Sequence, residues 1–220
     1  MARHGRLIKF LVVLFLVLVG LGAWGRPVMA ESRTIVALGD SLTAGFGLAE
    51  EAAFPARLEA FLRARGHDWR VLNAGVSGDT SAGGLARLDW ALGDKPDLVI
   101  VELGANEGLR GLPIEAMEAN LDQILARLKA AGIAALLCGM RVPPNLGKDY
   151  ATAFAAVFPR LASKYDVPLY AFFLDGVAAQ PALNQPDGIH PTAEGIAEIV
   201  ARIGPVVERA MMAAKAGTGS

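Results

Sequence analysis

The sequence predicts an α/β protein of three layers, a parallel five-stranded sheet with helices packed on both faces. Two observations carry this. Short apolar runs rich in β-branched residues alternate with longer segments of helical period from Thr34 onward. No internal repeat or linker interrupts the alternation, and 220 residues suffice for one domain with a full core.

The strands are expected at 34–38, 70–74, 97–103, 133–140 and 167–173. Ile35, Val36, Ala37 and Leu38 form a run too short and too β-branched for a helix, and it closes on Gly39. Between strands three and four, Ile114, Met117, Leu121, Ile124, Leu125 and Leu128 recur at helical spacing ahead of Gly132, which marks one buried helix face. Other helices are expected over Pro55–Arg65, Ser81–Leu92, Asp149–Lys164 and from Thr192 to about Met212. The domain therefore covers residues 31–212, and the small, polar ending 213–220 reads as a flexible tail.

Residues 1–30 begin with Arg3, Arg6 and Lys9, continue through the small-or-apolar run Phe10–Ala23 and finish on Val28-Met29-Ala30. This is the pattern of a secretory signal peptide, with the mature chain expected to start at Glu31 in the periplasm or outside the cell. The competing reading is an uncleaved anchor, but a span needs ~20 apolar residues and the run is shorter. A net charge of −1 without a basic patch excludes a nucleic-acid binder. The single cysteine, Cys138, can form no intramolecular disulfide and sits in an apolar run, so it reads as a buried small hydrophobe.

Candidate chemistry gathers where strands end. Ser41 follows the first strand in Gly39-Asp40-Ser41; if a helix begins near Leu42, its unpaired first-turn N–H groups suit a developing oxyanion. Either Asp40 or Ser41 would equally serve as an ordinary N-cap. Gly78, in Gly75-Val76-Ser77-Gly78-Asp79-Thr80 after strand two, can present a backbone N–H, and Asn106 after strand three can present a side-chain amide. Each, taken singly, is also a common turn residue. In an open parallel sheet the groups following strand ends lie along one edge, where ligands bind.

Histidine is scarce: His4 falls in the leader and His67 in a polar loop, which leaves His190 as the candidate base. It stands in Asp187-Gly188-Ile189-His190-Pro191-Thr192, and Pro191 keeps it extended and out of the following helix. Asp187, three residues upstream, can accept from one imidazole nitrogen while the other faces a nucleophile. As separate features these would be a turn residue and a helix flank; the serine, glycine and asparagine together favour catalysis.

The blocks GDSLTAG, GVSGDT, GANEGLRG and DGIHPT occur in that order, and over Thr34–Met212 the chain resembles the SGNH (GDSL-type) hydrolases. Within that family GDSLTAGFG, GANEGLRGLP and MRVPPNLGKDYATAF are similar to the secreted arylesterase, acyl-CoA thioesterase I and lysophospholipase L1 subfamily. The resemblance implies flavodoxin-like layering, Ser41 as nucleophile, Asp187 and His190 as its partners, and an oxyanion hole from the Ser41 and Gly78 N–H groups and the Asn106 amide. Glu107 departs from the subfamily, which often has Asp after the asparagine.

The expected activity is hydrolysis of carboxylic esters or thioesters through an acyl-serine, with no metal or cofactor. The expected partner is a small acyl substrate, possibly a lipid, taken up by a monomer with no membrane span once the leader is cleaved. Phe46, Leu48, Leu109, Leu112, Pro143, Leu146 and Leu183 are the expected apolar pocket. A carbohydrate acetyl-esterase on the same machinery is an alternative. So is a nucleotide- or flavin-binding module, although Gly45-Phe46-Gly47 lacks the third glycine of a dinucleotide loop. The G-x-S-x-G elbow is absent, because Thr43 stands at its second glycine.

Overall fold

The computed structural model describes residues 33–217. The leader read over residues 1–30 and the last three residues lie outside the described residues.

Five strands form one parallel sheet: β1 (Arg33–Gly39), β2 (Trp69–Gly75), β3 (Leu98–Glu102), β4 (Ala134–Cys138) and β5 (Leu169–Tyr170). Their spatial order is β2-β1-β3-β4-β5, the flavodoxin-like doubly wound order. The helices are α1 (Ser41–Ala44), α2 (Phe54–Ala64), α3 (Ser81–Ala86), α4 (Leu88–Ala91), α5 (Ala105–Arg110), α6 (Ile114–Ala130), α7 (Lys148–Tyr165) and α8 (Ala193–Gly217). Helix α2 packs with α8, while α6 packs with α3 and α7. The sheet lies between these two helical layers, as expected for α/β/α.

Burial on both faces explains the composition of the strands. Ile35, Leu38, Leu98, Val99, Ile100 and Val101 are essentially inaccessible, as are Leu136 and Leu137. Each such side chain contributes roughly 1.5–3 kcal/mol by leaving water. The expected stripe of α6 is core: Met117, Leu121, Ile124, Leu125 and Leu128 are all buried. Cys138 is fully buried, and its thiol is pushed up first by that burial and then by the nearby Glu102 carboxyl.

The register decides where chemistry can happen. Gly39 of β1 pairs with Gly75 of β2 and with Glu102 of β3, and Glu102 pairs with Cys138 of β4. Four strands thus end level, and the loops after them open onto one edge. Gly39 and Gly75 permit the close approach there: a Cβ on Gly39 would lie 2.1 Å from Thr43 Oγ1, and one on Gly75 2.3 Å from the Ala44 nitrogen.

Several boundaries differ from the sequence reading. Strand five shrinks to Leu169–Tyr170, though Gly139 N–H still donates to Tyr170 O and Phe173 N–H to Gly139 O. The helix read over Ser81–Leu92 breaks at Arg87, whose guanidinium turns inward to the strand ends. Asn106 lies not in a plain turn but in the first turn of α5. The last helix runs to Gly217, past Met212, because Ala213, Ala214 and Ala216 are strong helix formers.

Candidate active site

Asp40 and Ser41 start α1 as N-cap and first residue. Asp40 Oδ1 accepts the Leu42 N–H at 3.0 Å, and left-handed Gly45 stops the helix after one turn. Ser41 is thereby held at the sheet edge with its own N–H unpartnered within the helix.

His190 arrives from the far end of the chain. Its Nε2 lies 2.9 Å from Ser41 Oγ and its Nδ1 2.7 Å from Asp187 Oδ2. Asp187 Oδ1 accepts the N–H groups of Ile189 and His190, each at 3.0 Å. Those backbone bonds, His190 first and Ile189 second, and then the imidazole bond hold the Asp187 carboxyl down at about 2. The loop is pinned to the serine turn by Gln185, whose Nε2 donates to Phe46 O at 2.7 Å and Pro191 O at 2.9 Å. The Phe46 ring lies 4.5 Å from the imidazole, centroid to centroid, and restricts its swing.

Gly78 and Asn106 reach the same edge. Gly78 has φ 84°, a conformation glycine accepts freely, and among the described residues its N–H meets no acceptor. Asn106 Nδ2 donates to Asp79 O at 2.8 Å and to Asp40 Oδ2 at 3.2 Å, while Arg110 Nη2 donates to its Oδ1 at 3.2 Å. Two acceptors at one end and a donor at the other fix which way the amide points. All five residues singled out from the sequence therefore meet at one edge: four line a common cleft, and Asp187 backs His190.

Beneath the cleft lies a polar layer that strand patterns did not reveal. Glu102 is 1% exposed, and its Oε2 accepts Thr43 Oγ1–H at 2.7 Å and the Asp40 N–H at 3.4 Å. Burial and the neighbouring Asp40 carboxyl push its pKa well up, which favours the neutral acid. Asp40 is raised to about 6, chiefly by burial, against the lowering bonds from Leu42 N–H and the Asn106 amide. Glu107, buried beside Asn106, accepts the Ser81 N–H at 2.6 Å and Ser81 Oγ–H at 2.5 Å. Arg87 joins Asp79 at 2.6 Å and donates to Ala74 O and Gly39 O, the ends of β2 and β1. A lone Glu at the end of an otherwise apolar buried strand was the available signal for Glu102.

The cleft encloses about 490 Å³. Phe46, Leu109 and Pro143 line it as expected, whereas Leu48, Leu112, Leu146 and Leu183 do not. Leu48 and Leu183 pack instead against the core. Met140, Val142, Phe172, Leu174 and Ile189 supply apolar wall that the sequence reading missed, since it followed only leucine-rich loops. Among the described residues no group of three or more His, Cys, Asp or Glu is gathered for a metal ion.

A Ser–His–Asp chain at the C-terminal edge of a doubly wound sheet, opening on an apolar cleft, is the arrangement of a serine hydrolase. The chain belongs to the GDSL-like lipase/acylhydrolase family, whose model matches residues 37–197. It is 39% identical to esterase TesA of Pseudomonas aeruginosa over 180 residues, 81% of this chain and 90% of that one. It is 45% identical to thioesterase 1/protease 1/lysophospholipase L1 of Escherichia coli K12 over 166 residues, 75% of this chain and 78% of the relative. The crystal structure of AlinE4, an SGNH-hydrolase family esterase, is 50% identical and superimposes with a TM-score of 0.70 over 83% of this chain and 98% of its own.

Proposed function

We propose that the protein cleaves carboxylic esters or acyl thioesters by acyl transfer to Ser41. One observation carries the reading: Asp187, His190 and Ser41 are linked at 2.7 and 2.9 Å on the wall of an apolar cleft. His190 Nε2 takes the Ser41 proton as Oγ attacks the acyl carbon, then returns it to the departing alcohol or thiol. Water, activated by the same imidazole, breaks the acyl-serine and frees the acid. Asp187 fixes the imidazole tautomer and balances the charge it gains. The Ser41 and Gly78 N–H groups and the Asn106 amide receive the oxyanion. Asn106 has both amide hydrogens engaged in the resting site, and the 3.2 Å bond to Asp40 is the weaker, so it is the one exchanged for the oxyanion.

The relatives' names, which include esterase, thioesterase and lysophospholipase, support an acyl ester or thioester as the substrate class, lipids among them. We propose further that the chain is exported, cleaved after Ala30, and works as a monomer; the basic start, apolar run and small residues before Glu31 support export. Among the described residues no helix is long and apolar enough to cross a membrane. A fluorophosphonate probe tests the chemistry: it labels Ser41 in the wild type and fails to label Ser41→Ala, whose turnover falls about a thousandfold or more. Undiminished labelling of Ser41→Ala would overturn the assignment. Mass spectrometry of the exported protein should find Glu31 first, and an intact Met1 on membrane-bound protein would overturn cleavage.

A further inference from the structure

The oxyanion donors come from three separate segments, and one guanidinium behind them joins all three. Arg87 stands at the break between α3 and α4 and points inward, its side chain 17% exposed. Its nitrogens go to three different places: Nε donates to Asp79 Oδ2 at 2.6 Å, Nη1 to Ala74 O at 2.6 Å and Nη2 to Gly39 O at 2.8 Å. Gly39 O also accepts the Val76 N–H at 3.1 Å, so the peptide just ahead of Asp40 and Ser41 is tied to the start of the Gly78 turn. Asp79 carries the tie onward. Its N–H closes that turn on Val76 O at 3.0 Å, and its carbonyl accepts Asn106 Nδ2 at 2.8 Å. Gly83 leaves room for the Asp79 carboxylate, since a Cβ there would overlap Asp79 Oδ1.

If Asn106 gives up its 3.2 Å bond to Asp40 when the oxyanion forms, the bond it keeps is the one to Asp79 O, so the place of Asp79 sets where the freed hydrogen points. Asp79 in turn is placed by Arg87. A guanidinium is a rigid plane with N–H groups at fixed angles, so the three acceptors bound to it hold fixed positions relative to one another; an ammonium on a flexible stem cannot reproduce that. We infer that Arg87, acting through Asp79, is a positioning residue of the reaction: it sets the Ser41 turn, the Gly78 turn and the Asn106 amide at the mutual spacing a developing oxyanion requires. Neither Arg87 nor Asp79 lines the cleft, so neither touches substrate. The inference rests on the acyl-transfer reading above and deepens it. A guanidinium that only closed off strand-end carbonyls would contribute to stability and leave the rate per folded molecule alone.

The test counts active sites by fluorophosphonate titration run to completion, so that misfolded protein drops out. It then compares kcat per site, KM for 4-nitrophenyl butyrate and the inhibition constant of an alkyl trifluoromethyl ketone. Ser41 Oγ adds to the carbonyl carbon of the ketone, the π pair moves onto its oxygen and the serine proton passes to His190, so the adduct calls on the same donors as the transition state. Arg87→Lys should lower kcat per site roughly ten- to thirtyfold, leave KM within about twofold and weaken the ketone by the same factor as kcat. Asp79→Asn keeps the arginine and its two carbonyl bonds; it should show the same pattern at about three- to tenfold, and it carries the test if Arg87→Lys does not fold. Unchanged kcat per site and ketone affinity, with only the melting temperature lowered, would overturn the inference and leave Arg87 a cap on strand ends. A raised KM with kcat spared would overturn it too. Absence of both turnover and probe labelling in wild type would instead overturn the hydrolase reading.

Discussion

The two halves of the candidate site are built in opposite ways. On the base side, Asp187 meets the Ile189 N–H, the His190 N–H and the His190 ring within four consecutive residues, and the Asp187 side chain is 37% exposed. On the oxyanion side, Gly78 and Asn106 lie on different segments and are held by a network of buried Asp40, Ser81 and Glu107 and partly buried Asp79 and Arg87. The base side is a local loop whose acid and base orient each other, tied to the serine turn through Gln185 and Phe46. The oxyanion side is an assembly, and changes there should touch stability as well as rate.

The largest effect that separates the halves is expected at Asp187. Asp187→Asn keeps the shape but offers an amide where the imidazole needs an acceptor, so kcat should fall on the order of 10³- to 10⁴-fold. Because the side chain is exposed and its bonds are local, Tm should move little. A variant that melts early or stays fully active would break the comparison; steady-state kinetics beside calorimetry decides.

Next comes Asn106→Ala. Removing one donor that acts on a developing charge costs about 100- to 1000-fold in kcat, with KM nearly unchanged. The Asp79 carbonyl and Asp40 carboxyl lose a partner as well, so thermal stability should fall, unlike in Asp187→Asn. A raised KM with kcat spared would make Asn106 a pocket residue.

Glu107 tests the assembly without touching the reacting atoms. Glu107→Ala strips Ser81 of its N–H and Oγ–H acceptors, two bonds worth roughly 1 to 1.5 kcal/mol each, and so should cost about 2 to 3 kcal/mol in urea denaturation. Glu107→Gln keeps an acceptor and should recover much of that. An unaffected melting curve for Glu107→Ala would show that the buried bonds do not hold the loop carrying Gly78.

The same contrast explains what could be read from sequence. Asp187 and His190 were legible because their relation is three residues long and Pro191 fixes the backbone between them and α8. The strand positions and the helix stripe of α6 followed from periodicity, while the flavodoxin-like layering followed from the resemblance. The bonds from Glu102 to Thr43 and from Glu107 to Ser81 cross 59 and 26 residues, and no local pattern encodes such a pairing. Glu107 drew notice only as a longer acid where the resemblance suggested Asp, and its carboxylate accepts both the N–H and the Oγ–H of Ser81. The cleft wall was half legible: Phe46 and Leu109 follow strand ends, but Phe172 comes from the segment read as strand five, which ends at Tyr170, and Leu174 from just past it.

The smallest expected effect concerns Asp40, where the two halves share a carboxyl: it caps α1 under Ser41 and accepts from Asn106. Its pKa is raised from 3.8 to about 6 in the folded protein, so the native state holds the proton more tightly than the unfolded chain does. A raised carboxyl pKa contributes stability that is complete below about 4 and is lost as pH climbs through about 6. The full cost is roughly 3 kcal/mol, since one pKa unit corresponds to about 1.4 kcal/mol and the shift is about two units. Asp187 acts with the opposite sign, its contribution fading only as pH falls from about 4 toward about 2. Between pH 4 and 6 the Asp40 carboxyl therefore shares the slope with Glu102, whose pKa is raised as well, and removing its share in Asp40→Asn should make the unfolding free energy rise more steeply, or fall less steeply, with pH than in wild type. A slope unchanged by Asp40→Asn would mean that the Asp40 carboxyl is ionised throughout, kept so by the Leu42 and Asn106 donors.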